Sequence, residues 1–141
     1  MYRSSTVRHD PDAVATMRSH AVGYHRRAEQ FHADGQPASL VFNVASVALE
    51  HYLIALCNAH GVEPVSHTFT HLIDDVECLV DVEPDVSTAV RSLDTIFGIC
   101  SLDDYHHLEP DASDAERTLW MCDRLAEHLA QEPPARVGEA P

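Results

Sequence analysis

The run Leu40 to Cys57, LVFNVASVALEHYLIALC, limits what this chain can fold into more than any other stretch. Drawn as a helix, it is apolar on nearly every side, and its exceptions Asn43, Ser46 and Glu50 fall at helical spacing into one narrow strip, with His51 beside it. Such a helix needs cover around most of its circumference. It is expected either at the centre of a bundle or shared with a second subunit. Glu50 and His51 interrupt the apolar run, which on this reading falls short of a membrane span. The helix is predicted over about Pro37 to His60, with Gly61 as its stop.

Helical periodicity governs the other segments, and no stretch alternates long enough to argue for a strand. Asp10 before Pro11 reads as a cap followed by proline at the first helical position; Val14, Met17, Ala21, Tyr24, Ala28 and Phe31 then make one stripe, ended by Gly35. A third helix is predicted over about His67 to Asp81, with Phe69, Leu72, Ile73, Val76, Leu79 and Val80 inward. Pro84 opens a fourth, which carries Val86, Val90, Leu93, Ile96 and Phe97 to about Cys100. The last begins at a capping-box pattern, Ser113 to Glu116, and runs to about Gln131. Short connections favour antiparallel neighbours, so the expected fold is all-α, an up-and-down bundle of four to five antiparallel helices. Residues 10–131 form its single domain, between a flexible arm at 1–9 and a disordered tail at 132–141.

Charge narrows the partners. The 141 residues hold 23 acids against nine basic residues, every one an arginine, for a net charge of -14. Residues 1–36 carry five of those arginines (Arg3, Arg8, Arg18, Arg26 and Arg27) against four acids, while residues 37–141 carry four arginines against 19 acids. A surface so acidic repels phosphate backbones, which disfavours autonomous nucleic-acid binding and leaves RNA a weak candidate partner. Cys57, Cys78, Cys100 and Cys122 form no C-x-x-C pair and each falls among apolar helix residues, so buried free thiols in a reducing compartment are expected. With no signal-peptide pattern at the N-terminus, the expectation is a cytoplasmic protein that neither enters nor binds a membrane.

Three groups of residues bear on chemistry. His67 and His71 have the spacing that places two imidazoles on one helical face, a possible metal pair; a complete site needs further ligands, with Glu50, His51, Asp74, His106 and His107 available. His106 and His107 follow Asp103, Asp104 and Tyr105 in the loop before the last helix, where imidazole beside carboxylate and phenol could move protons near neutral pH. Glu50 is a lone carboxylate in the most apolar helix, either a ligand-binding group or the partner of an arginine such as Arg18 or Arg91. There is no H-E-x-x-H, no nucleophile elbow and no Gly-rich phosphate cradle, and no cofactor is implied.

The stretch LVFNVASVALEHYLIALCNAHGVEPVSHTFTHLIDDVECL resembles the core of HEPN domains, in which an Ala-rich second helix carries a Glu, ends in a Gly-x-x-Pro turn and precedes a His that opens the next helix. Here those positions are Glu50, Gly61 to Pro64 and His67, with Leu72 five residues on. The resemblance implies a homodimer, often working beside a nucleotidyltransferase partner in toxin-antitoxin or defence systems. Glu50, Asp104 and Tyr105 are the candidate ligand-binding residues, with a protein partner or a nucleotide as the ligand. Many members of that family are metal-independent ribonucleases that pair an arginine with a histidine a few residues on. His106 or His107 stands where that histidine belongs, but Cys100, Ser101 and Leu102 hold the arginine's positions. Without a guanidinium to hold the scissile phosphate, a histidine stabilises little of the developing charge. The reading is therefore a non-nuclease binding or regulatory module, with two alternatives: a variant ribonuclease using His106 and His107, or a metal-binding bundle using His67 and His71.

Overall fold

A computed structural model describes residues 11–97 and 109–132. They form five helices: α1 (Pro11–Ala33), α2 (Ala38–Ala59), α3 (Phe69–Glu77), α4 (Pro84–Ile96) and α5 (Ala112–Ala130), with no strand among the described residues. The arm at 1–9, Cys100, Asp103, Asp104, Tyr105, His106 and His107 lie outside the described residues, as does the tail beyond Glu132.

The centre of the fold is α2. Its Phe42, Leu49, Tyr52, Leu53 and Leu56 are fully buried. It packs against α1, α5 and α3, so a single chain already covers most of its apolar surface. Each fully buried leucine or phenylalanine contributes about 1.5–3 kcal/mol, and four such residues, with Tyr52 beside them, make α2 the main source of apolar stabilisation. Alanines set how closely the neighbours approach: Ala21 and Ala28 of α1, and Ala45, Ala48 and Ala55 of α2, expose no surface at all. Contrary to the sequence expectation, the 22 residues of α2 are long and apolar enough to cross a membrane. Two thirds of that apolar window is nevertheless buried inside the fold, as befits a core helix.

The two long helices stop by the same device. Gly35 has φ 75° and Gly61 φ 76°. Beyond each, the next amide reaches back five residues, from Gln36 to the Phe31 carbonyl at 3.0 Å and from Val62 to the Cys57 carbonyl at 2.9 Å. This is a Schellman closure, which needs the left-handed conformation that glycine adopts without steric cost.

Several details depart from the sequence reading. On α1 the buried residues are Val14, Ala21, His25 and Ala28, whereas Tyr24 is 41% exposed. His25 is kept inside by a 2.8 Å hydrogen bond between its Nδ1 and the Tyr52 hydroxyl, and Tyr24 lies against the His51 ring instead. Helix α3 starts at Phe69 and ends at Glu77, leaving Leu79 and Val80 half-buried in the turn to α4. Cys57 and Cys122 are buried free thiols as expected, but Cys78, at the end of α3, is exposed. The capping box of α5 is formed by Asp111 and Asp114 rather than by Ser113 and Glu116. Asp111 accepts from the Asp114 amide at 2.9 Å and Asp114 accepts from the Asp111 amide at 3.1 Å. Ser113 is thereby placed inside the first turn.

Candidate functional site

The polar strip of α2 opens onto a cleft of about 350 Å³. Asn43, Ser46 and Glu50 line one side, His67 stands at the rim, and Phe69 and Phe97 complete the wall. The strip exists because these three residues share one face of an otherwise apolar helix.

His67 belongs to the loop between α2 and α3, where Pro64 is buried and Val65 is 94% exposed. Its Nδ1 lies 3.3 Å from a carboxylate oxygen of Glu50, an ion pair when the imidazole is protonated. Both groups are partly open to solvent, so the pair is accessible to a ligand. Ser46 donates its hydroxyl proton to the Phe42 carbonyl at 2.8 Å, the residue one turn earlier. Its oxygen is left as an acceptor, and among the described residues no base is hydrogen-bonded to it as nucleophilic activation would need.

The aromatic wall is held from below. Phe69 and Phe97 stack with ring centroids 6.0 Å apart and planes 17° from parallel, and Phe42 lies 5.3 Å from Phe97 on the other side. Phe69 is the first residue of α3, whose free amides are fully accounted for. Asp94 of α4, 2% exposed, accepts from the Phe69 amide at 3.0 Å and the Thr70 amide at 2.9 Å, while Thr68 accepts from the His71 amide at 3.3 Å. Asp94 therefore fixes where the helix begins and where the Phe69 ring points. Sequence reasoning missed this residue because nothing in the local pattern distinguishes a buried aspartate beside Leu93 from a solvated one.

The structure separates residues that the sequence grouped. His67 precedes α3, so His67 and His71 do not share a helical face, and the spacing argument for a common metal ion fails. His71 Nδ1 instead lies 2.6 Å from the Thr68 hydroxyl. His51 turns its Nδ1 to the Val47 carbonyl at 2.7 Å, and His60 pairs with Glu132 at 3.0 Å. Four neighbouring histidines thus have four different partners. Glu50 pairs with His67 and not with an arginine: Arg18 donates to the Leu129 carbonyl, and Arg91 is held by Asp74 and Glu77. Asp104, Tyr105, His106 and His107 lie outside the described residues. A wider groove of about 690 Å³ between α4 and α5, with Trp120 and Arg117 on its wall, has neither the aromatic pair nor the carboxylate–imidazole pair of the α2 cleft.

Compared with protein-family models, curated proteins and solved structures, this chain matches none of them.

Proposed function

We propose that this chain is a HEPN-like, homodimeric binding or regulatory module whose α2 cleft takes the planar base of a nucleotide, and that it does not cleave RNA. One observation carries the reading. An aromatic wall, Phe69 against Phe97, faces a carboxylate, an imidazole and an amide in a cleft of about 350 Å³, near the lower end of the size usual for small-molecule sites. A heteroaromatic base offers a flat face to the phenylalanines and N–H donors to Glu50 and Ser46. The phosphate end is the less welcome part. With a net charge of -14 and no arginine among the cleft's lining residues, the site favours base over phosphate.

The contacts between α1 and α5 run antiparallel, as the first and last helices do in an up-and-down bundle of four; five strictly alternating helices would run them parallel. Arg18 meets Leu129, His25 meets Asp123 and His32 meets Glu116, so positions rise along one helix as they fall along the other. Because α2 is mostly covered within one chain, the homodimer rests on the resemblance and not on an unpartnered α2. The same resemblance supplies the nucleotidyltransferase-type partner, the toxin-antitoxin or defence setting and the cytoplasmic location as parts of the proposal.

Titration calorimetry with adenosine, guanosine and their mono- and triphosphates tests the cleft. The expected order is nucleoside at least as tight as triphosphate at low salt, with Glu50→Gln weakening binding by roughly tenfold, the loss of one charge-assisted hydrogen bond. Absence of heat with every nucleoside at millimolar concentration would discard the base-binding reading. Single-stranded RNA incubated with the protein should stay intact. Cleavage that disappears in a His106→Ala, His107→Ala double variant would replace the module with a ribonuclease.

A further inference from the structure

On the opposite side of α2 from the cleft's chemistry, α1 and α5 bring together a second group of polar side chains. His25 of α1 is 8% exposed, and its Nε2 is buried without a hydrogen-bond partner. That nitrogen nevertheless lies 3.0 Å from a carboxylate oxygen of Asp123 on α5 and 3.5 Å from one of Glu29, one turn along α1. One donor atom from each residue falls within a sphere in which no two are more than 4.8 Å apart. The other ring nitrogen, Nδ1, is taken by the Tyr52 hydroxyl at 2.8 Å, and Tyr52 is itself buried in α2.

We infer that His25, Glu29 and Asp123 form a binding site for a divalent transition-metal ion, with zinc the best fit. With its proton on Nδ1, towards the Tyr52 hydroxyl, the imidazole aims the Nε2 lone pair at two carboxylate oxygens, a donor set that a cation would join; with a proton on Nε2 the same atoms make an ion pair with Asp123. Two donors about 2.1 Å from a tetrahedral zinc lie about 3.4 Å apart, and the two nitrogen–oxygen separations fall on either side of that value. The nitrogen donor distinguishes the site from a calcium or magnesium site, which would be built of oxygens. Tyr52 supplies the feature expected behind a ligating histidine, a hydrogen-bond partner on the far nitrogen that fixes tautomer and ring orientation. The carboxylates are about half exposed, 53% each, so they have freedom to close on an ion. Three protein ligands and one open position would clamp α1 to α5 and leave room for a water or a small anion.

Protein made without a histidine tag and stripped with a chelator is titrated with zinc chloride by calorimetry. The expected result is one zinc ion per chain at micromolar or tighter affinity. Asp123→Asn and Glu29→Gln, both at exposed positions that the fold tolerates, should each weaken binding by about 10- to 100-fold. The His67→Ala, His71→Ala double variant should bind as the parent does. Cobalt(II) in place of zinc should give a visible absorption band that changes in Asp123→Asn. Absence of binding below about 100 μM, parental affinity retained in both carboxylate variants, or loss of the ion in the His67, His71 variant would each overturn the assignment.

Discussion

Asp94 shows how much can depend on a residue that no motif announces. Its carboxylate takes the first two amides of α3, a helix of only nine residues that is too short to be stable without outside help. Asp94→Ala would leave both donors unmet, one of them buried, so a loss of about 2–4 kcal/mol is expected in urea denaturation, with nucleoside binding falling in parallel as Phe69 loses its position. A loss no larger than an ordinary surface substitution would show that α3 starts without it. The cysteines make a second case at this scale. Burial pushes the Cys57 thiol up to about 12 and raises that of Cys122 as well, whose Sγ also donates to the Ala45 carbonyl, whereas Cys78 is exposed. Since only the thiolate reacts, iodoacetamide at neutral pH should label Cys78 at least about tenfold faster than Cys57 or Cys122 in peptide mapping. Equal rates would mean that the core opens easily. The sequence could not rank these thiols, because all three sit beside apolar residues and only the early end of α3 puts Cys78 outside.

Among the elements, legibility followed the strength of the pattern. Helix α2 was readable as central because it is apolar almost all round, and Gly35 and Gly61 were readable as stops because a left-handed residue is needed there. The stripe of α1 was harder. Tyr24 and His25 are adjacent and about equally amphipathic, and the choice between them is made by Tyr52, a partner 27 residues away from His25. That long-range bond also explains why eleven histidines drew attention to His67 and His71 while the group with metal-like geometry lay elsewhere. At the start of α5 the capping box read at Ser113 to Glu116 forms two residues earlier, between Asp111 and Asp114. Asp111→Ala is therefore expected to cost about 1 kcal/mol of stability by thermal or urea unfolding, while Ser113→Ala, inside the first turn, should be nearly neutral. The reverse order would place the cap where the serine stands.

At the scale of the whole molecule, two opposed effects set the response to acid. A net charge of -14 repels itself, so taking up protons on the way down from pH 7 relieves strain on the compact state. Specific ion pairs act the other way. His128, 2.8 Å from Glu83, holds that carboxyl below its usual range, and Arg91 does the same to Glu77. A carboxyl lowered on folding adds stability above its unfolded value, about 4.3, and that contribution is lost as pH falls through the folded value. The pairs link distant parts of the chain, the start of α4 to the end of α5 and α3 to α4, but Glu83 is 46% and Glu77 37% exposed. Solvent screening then limits each to below about 1 kcal/mol. Relief of repulsion, spread over many groups, should win above about pH 5, and loss of the pairs should add to unfolding only below about pH 4.3. Urea midpoints measured from pH 7 to 3 should accordingly hold or rise to about pH 5 and then fall. A Glu77→Gln, Glu83→Gln variant should start lower at pH 7 and fall less steeply below pH 4.3, converging on the parent at pH 3. Parallel curves throughout would show that these two pairs contribute nothing measurable, and that self-repulsion alone governs the acid limb.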